Sequence, residues 1–165
     1  VKGICVKGGE SFSRRQIDEL TSFISHFGAK GLAWIKIQEE GPVSSIVKFF
    51  DEATLRLLVK RMEAEKGDLL LFVAEKESIV NQSLDHLRRH LAKELGLIDP
   101  SRYEFAWVTD FPLFQWDAET QTLACEHHPF TSPNVEDISL IDKEPLKMRS
   151  SSYDLVLNGY ELGSG

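Results

Sequence analysis

Between the Gly67-Asp68 turn and Glu75 stand six consecutive apolar residues, Leu69-Leu70-Leu71-Phe72-Val73-Ala74. Such a run is far shorter than the roughly 18 residues of a membrane span. It is apolar enough to be the central strand of a covered sheet. The flanking segments supply the rest of that unit. Ile4-Cys5-Val6 reads as a short strand ending at Gly8-Gly9. Ser13-Arg14-Arg15-Gln16 has the pattern of a capping box, in which serine and glutamine each satisfy a backbone N–H of the other. The helix that starts there carries Ile17, Leu20, Phe23, Ile24 and Phe27 at helical spacing and stops at Gly28. Leu32–Ile37 reads as a mostly buried strand and Gly41-Pro42 as a loop. A helix after Asp51 places Leu55, Leu58, Val59 and Met62 on one face. A second helix, from Glu77 to Leu95, buries Val80, Leu84, Leu87, Leu91 and Leu95, and Gly96 ends it. These elements make a complete α+β or α/β unit.

A break in charge divides the chain after this unit. Residues 1–98 carry 15 basic and 14 acidic side chains, whereas residues 99–165 carry 4 and 12. The change falls at Leu97-Ile98-Asp99-Pro100-Ser101, where aspartate and proline interrupt helical structure. We read it as a boundary between two units, although one domain with an acidic edge has the same composition. The net charge of -7 argues against a nucleic-acid surface covering most of the chain. Val1-Lys2-Gly3 lacks the design of a signal peptide. Cys5 and Cys125 are too few for a disulfide framework, so a reducing cytoplasm is expected.

The second part reads differently. Phe105–Val108 is strand-like, and Asp110–Phe114 is confined by Pro112 to a sheet edge or loop. Residues 117–122 form a polar turn, Leu123–Glu126 return as a strand, and residues 131–149 are largely loop. Tyr153–Leu162 reads as a β-hairpin about Asn158-Gly159, since a type I′ turn needs positive φ at both central residues. A two-residue loop sets the register. Leu157 then opposes Tyr160, Val156 opposes Glu161, Leu155 opposes Leu162, and Asp154 opposes Gly163. Asp154 and Glu161 thus share a face as diagonal neighbours, suited to converge on a hydrated Mg²⁺ that also holds phosphate oxygens. Two solvated carboxylates on an exposed face fit the same pattern.

His127 and His128 are adjacent, so in extended chain they point to opposite faces and do not share one metal. One imidazole suits a carboxylate or amine ligand while the other packs or caps. Two structural histidines before a proline turn are the alternative. His26, His86 and His90 fall on helix surfaces. Arg88, Arg89 and Lys93 read as a solvated helix face rather than a phosphate site. Trp34, Trp107 and Trp116 read as core or edge packing. Gly8-Gly9 and Gly163-Ser164-Gly165 match neither a P-loop nor a dinucleotide fingerprint.

Three segments of the second part, Phe105-Ala106-Trp107-Val108-Thr109-Asp110-Phe111-Pro112-Leu113-Phe114, His127-His128-Pro129-Phe130-Thr131-Ser132-Pro133 and Tyr153–Gly163, closely resemble the catalytic domain of bacterial-type aspartyl-tRNA synthetases, which are class II synthetases. The first part resembles the GAD insertion domain of the same enzymes, which is shared with the B subunit of the tRNA-dependent amidotransferase. Gly8-Gly9 with the Ser13–Gln16 helix start, Gly28–Lys36 and Gly67–Ala74 carry that likeness. The resemblance implies an α+β chain: residues 1–98 a GAD domain with a small mixed sheet packed by helices, and residues 99–165 a partial antiparallel sheet of the catalytic domain.

The resemblance also implies a parent enzyme that condenses aspartate with ATP to aspartyl-adenylate and passes the aspartyl group to tRNA-Asp. Glu161 resembles the acidic residue that contacts ATP through Mg²⁺, and Asp154 its partner carboxylate. His127 resembles the histidine placed near the bound aspartate, with His128 the weaker match. No role carries over to Asp110. The parent is expected to be a cytoplasmic homodimer with no membrane association. The family's other motifs lie outside these residues: an arginine for the α-phosphate, an arginine for the substrate carboxylate, a further ATP-binding segment and the anticodon barrel. The chain alone is therefore expected to be inactive and to bind no ATP or Mg²⁺. A different reading is a non-catalytic GAD module for interaction or for proximity to tRNA. The near-neutral charge of residues 1–98 weighs against strong RNA binding.

Overall fold

A computed structural model describes all residues, Val1–Gly165. They form two compact units, Val1–Ile98 and Asp99–Gly165.

The first unit is built on a four-stranded sheet of β1 (Lys2–Val6), β2 (Ala33–Gln38), β3 (Gly41–Val43) and β4 (Leu69–Val73), in the order β1-β4-β2-β3. The apolar run is one of its two inner strands. Leu69, Leu71 and Val73 meet α1 (Arg14–Ser25) and α3 (Glu77–Glu94) through Ile17, Leu20, Ile24, Val80, Leu84, Leu87 and Leu91. Leu70 joins Ile35 and Ile37 on the opposite face, against Leu55, Leu58 and Val59 of α2 (Glu52–Arg61) and Met62 that follows it. With both faces covered, alternation of side chains still leaves every position apolar. The sheet is antiparallel throughout, not mixed as expected. The pattern of an inner strand reports its two covered faces and says nothing of its neighbours' direction. Gly41-Pro42 is also more than a loop. It enters β3, with Pro42 opposite Ile37, and the sheet edge tolerates the missing N–H.

The helix starts follow their local chemistry. Ser13 Oγ accepts from the Gln16 N–H at 3.2 Å, and Gln16 Oε1 accepts from the Ser13 N–H at 2.8 Å. Asp51 Oδ1 caps α2 by accepting from the Thr54 N–H at 2.7 Å. α1 and α3 meet through two aromatic rungs. Phe23 stacks on His90 with centroids 4.3 Å apart, and Phe27 on His86 at 3.8 Å. These imidazoles therefore pack between helices rather than standing free. Arg88 and Arg89 both pair with Asp85, at 3.0 and 2.7 Å, which offsets one of the three positive charges of that basic patch.

Asp68, at the entrance to β4, is buried and accepts from the N–H groups of Glu65 at 2.8 Å and Gly8 at 3.0 Å. Gly8 has φ +67°, and a Cβ on Gly9 would stand 2.8 Å from Leu69 Cβ. The glycine pair thus serves a left-handed turn followed by close approach to β4.

The second unit holds a sheet of β5 (Phe105–Val108), β8 (Asp154–Leu157) and β9 (Tyr160–Ser164), ordered β5-β8-β9, and a hairpin of β6 (Phe114–Asp117) and β7 (Thr122–Cys125). Residues 131–149 contain two short 3₁₀ turns, Val135–Leu140 and Pro145–Lys147. Of the tryptophans, Trp34 packs against the core, whereas Trp107 and Trp116 are exposed. Trp107 makes an edge contact with Tyr153, centroids 5.6 Å apart.

Candidate active-site cleft

The β8–β9 hairpin turns at Asn158 and Gly159, with φ +50° and +86°. Leu157 opposes Tyr160 and Val156 opposes Glu161, as the two-residue turn requires. The ladder then shifts. Gly163, not Leu162, opposes Leu155, and Ser164, not Gly163, opposes Asp154. Leu162 is the extra residue of a β-bulge, a local irregularity that no side-chain pattern announces. The bulge lies on β9, so Asp154 keeps the face of Val156 and remains on the side of Glu161. It also turns Ser164 to that side. Residues 161 and 164 would face opposite ways in a regular strand.

Asp154, Glu161 and Ser164 form one wall of a cleft of about 290 Å³. Phe111, His127, Thr131, Ser152 and Gly165 line the remainder. Of the four residues singled out from sequence, three meet here: His127, Asp154 and Glu161. His127 stands perpendicular to the Phe111 ring, centroids 5.1 Å apart. His128 is not in the lining. Its Nδ1 accepts from the Phe130 N–H at 3.2 Å, and its carbonyl accepts from the Thr131 N–H at 2.9 Å. It is thus the histidine that caps the turn. Phe111 sits inside a recognised motif. Thr131 likewise lies in the His127–Pro133 segment, whereas Ser152 and Ser164 carried no signal, because their placement depends on pairings between distant segments.

The cleft is held by an extended segment around Arg149. The Leu113 N–H donates to the Met148 carbonyl at 2.8 Å, and the Ser150 N–H to the Phe111 carbonyl at 2.7 Å. On the other side, the Asn134 N–H donates to the Arg149 carbonyl at 2.8 Å and the Ser151 N–H to the Ser132 carbonyl at 2.9 Å. Arg149 Nε and Nη2 grip buried Asp137 at 2.8 and 3.0 Å, and Nη1 reaches Asp110 at 3.1 Å. The guanidinium, together with the Arg149 N–H, lowers the Asp137 pKa to about 2.

The carboxylates of Asp154 and Glu161 are hard oxygen donors of the kind Mg²⁺ prefers. No group of three or more His, Cys, Asp or Glu side chains is placed to hold a metal by itself. The two carboxylates therefore suit a cation that arrives with most of its ligands, as Mg²⁺ does on a triphosphate. The lining contains no lysine or arginine.

Residues 1–84 match the GAD domain, and the chain belongs to that family. Its full length is similar to proteins named aspartate–tRNA(Asp/Asn) ligase. Identity over all 165 residues is 58% with the protein of Protochlamydia amoebophila, 55% with that of Heliobacterium modesticaldum and 52% with that of Caldanaerobacter subterraneus subsp. tengcongensis. The chain spans 27–28% of the length of these relatives. No helix is long and apolar enough to cross a membrane.

Proposed function

We propose that these 165 residues are part of an aspartate–tRNA ligase, with residues 1–98 its GAD domain and residues 99–165 a portion of its catalytic domain. The parent enzyme joins aspartate to ATP and transfers the aspartyl group to tRNA-Asp, and, by the names of its relatives, to tRNA-Asn. The observation that carries the reading is the convergence of His127, Asp154 and Glu161, from segments far apart in sequence, on one cleft.

The chemistry sets the roles. An oxygen of the aspartate carboxylate attacks the α-phosphorus of ATP, and pyrophosphate leaves. The 3′-terminal ribose hydroxyl of the tRNA then attacks the acyl carbon and releases AMP. Mg²⁺ bound with ATP supplies positive charge against the repulsion between two anions. Asp154 and Glu161 orient that complex through their carboxylates, and His127 stands beside the amino acid. A cleft with two carboxylates and no basic lining residue repels a bare triphosphate. We therefore assign activity to the longer cytoplasmic, dimeric parent and none to the 165 residues alone.

The test is aspartate-dependent exchange of pyrophosphate into ATP by the full-length protein. Wild type is expected to be active, and Glu161→Gln to lose about 10²-fold or more. Retention of exchange by Glu161→Gln and Asp154→Asn would sink the site assignment. Saturable Mg-ATP binding by the 165-residue chain in calorimetry would overturn its inactivity.

A further inference from the structure

We propose that Arg149 is a positioning residue for the cleft, setting through Asp110 the wall formed by Phe111 and hence the seat of the His127 ring. The inference rests on the reading that His127 stands beside the bound amino acid. Arg149 does not line the cleft. Its carbonyl instead accepts from the Asn134 N–H, its neighbours Met148 and Ser150 bond Leu113 and Phe111, and its side chain closes on Asp110 and Asp137.

Asp110 is the informative partner. It has φ +60°, a left-handed conformation uncommon for a residue with a side chain, which persists where surrounding contacts hold it. One such contact is Arg149 Nη1 at 3.1 Å. The next residue is Phe111, whose carbonyl accepts from the Ser150 N–H and whose ring meets His127 edge-on. The path from guanidinium to imidazole thus runs through one strained residue and one ring contact.

Arg149 has three acidic partners, of which exposed Glu136 meets Nη2 at 3.3 Å, and the other two separate the positioning role from ordinary stabilisation. The Asp137 side chain is 10% exposed and that of Asp110 is 56% exposed. Exposed pairs add little stability. Losing the Asp110 contact should therefore disturb geometry while leaving the fold intact. Asparagine tolerates positive φ, so Asp110→Asn removes the charge pair with little change in backbone preference.

The experiment has two arms. In the full-length protein, Asp110→Asn and Arg149→Lys are compared with wild type in aspartate-dependent pyrophosphate exchange. Both are expected to raise KM for aspartate about tenfold or more, with kcat changed by less than about threefold. In the 165-residue chain, the ring resonances of His127 and Phe111 are recorded by NMR. Asp110→Asn should move both sets while the melting temperature changes by less than about 2 °C. Wild-type KM together with unmoved His127 resonances in both variants would overturn the proposal. So would a general loss of dispersion across the second unit, since Arg149 would then be structural support only. If wild type itself shows no aspartate-dependent exchange, the functional reading fails, and the resonances still decide whether Arg149 seats His127.

Discussion

Lys7 Nζ lies 2.9 Å from Asp68 Oδ2, joining the end of β1 to the start of β4. Burial alone would raise the Asp68 pKa. The N–H of Glu65, the Lys7 ammonium and the N–H of Gly8 outweigh that and hold it at about 2. The unfolded chain titrates near 3.9. A depressed folded value gives stability that is present above the unfolded pKa and is lost as pH falls from about 4 to about 2. Urea denaturation at stepped pH should show that loss in wild type and a flatter profile in Asp68→Asn. At pH 7 the substitution should cost about 1.5–3 kcal/mol, because an amide cannot satisfy three donors at a buried carboxylate.

The same carboxylate suppresses a thiol. Burial first, and then the negative charge of Asp68, raise the Cys5 pKa to about 11. Cys5 Sγ lies 3.5 Å from Asp68 Oδ2. Little thiolate exists near pH 8, so iodoacetamide should label Cys5 far more slowly than an unperturbed cysteine. Asp68→Asn should speed the labelling; an unchanged rate would show that accessibility alone governs it.

Asn158 anchors its hairpin from both ends of its amide. Oδ1 accepts from the Glu104 N–H at 2.8 Å, and Nδ2 donates to the Arg102 carbonyl at 2.8 Å. Asn158→Gly keeps the positive φ and loses these bonds, whereas Asn158→Ala loses both advantages. The expected costs are about 1–2 kcal/mol for glycine and about 1 kcal/mol more for alanine. Hydrogen exchange on β8 and β9 should follow that order.

The first unit should be the better-behaved protein alone. Phe105, Trp107, Tyr160 and Leu162 of the three-stranded sheet are exposed, and the outer strands β5 and β9 have open edges. Apolar surface beside unpaired strand edges favours association. Sedimentation should find residues 1–98 monomeric and the full chain self-associating with concentration. A lower melting temperature for residues 1–98 would count against this.

Legibility followed the range of each interaction. The Ser13 capping box and the Asn158-Gly159 turn are decided within four residues, and both were readable. Leu69–Val73 was readable as an inner strand, since burial on two faces leaves no polar position. The direction of its neighbours was not, because no residue in the run differs between parallel and antiparallel pairing. Pro42 suggested a loop, yet pairing with β2 recruits it as an edge strand. Within the cleft, Asp154 and Glu161 were paired by the hairpin register, and the resemblance gave them and His127 their roles. Ser152, Arg149 and the pairing at Asp68 depend on contacts between segments that no local pattern encodes.

The bulge at Leu162 is a matter of where the extra residue stands in this hairpin rather than of its identity. With Leu162 present, Glu161 and Ser164 look into one cleft only because that residue is bulged out of the ladder. Swapping Leu162 for another apolar residue leaves that arithmetic intact. Deleting it would restore an unbroken ladder, with Gly163 still opposite Leu155 and Ser164 still opposite Asp154, and would remove only the bend that the extra residue gives β9. Among descendants of this sequence, loss of that residue should therefore leave the facing of the cleft unchanged and be felt in the curvature of its wall.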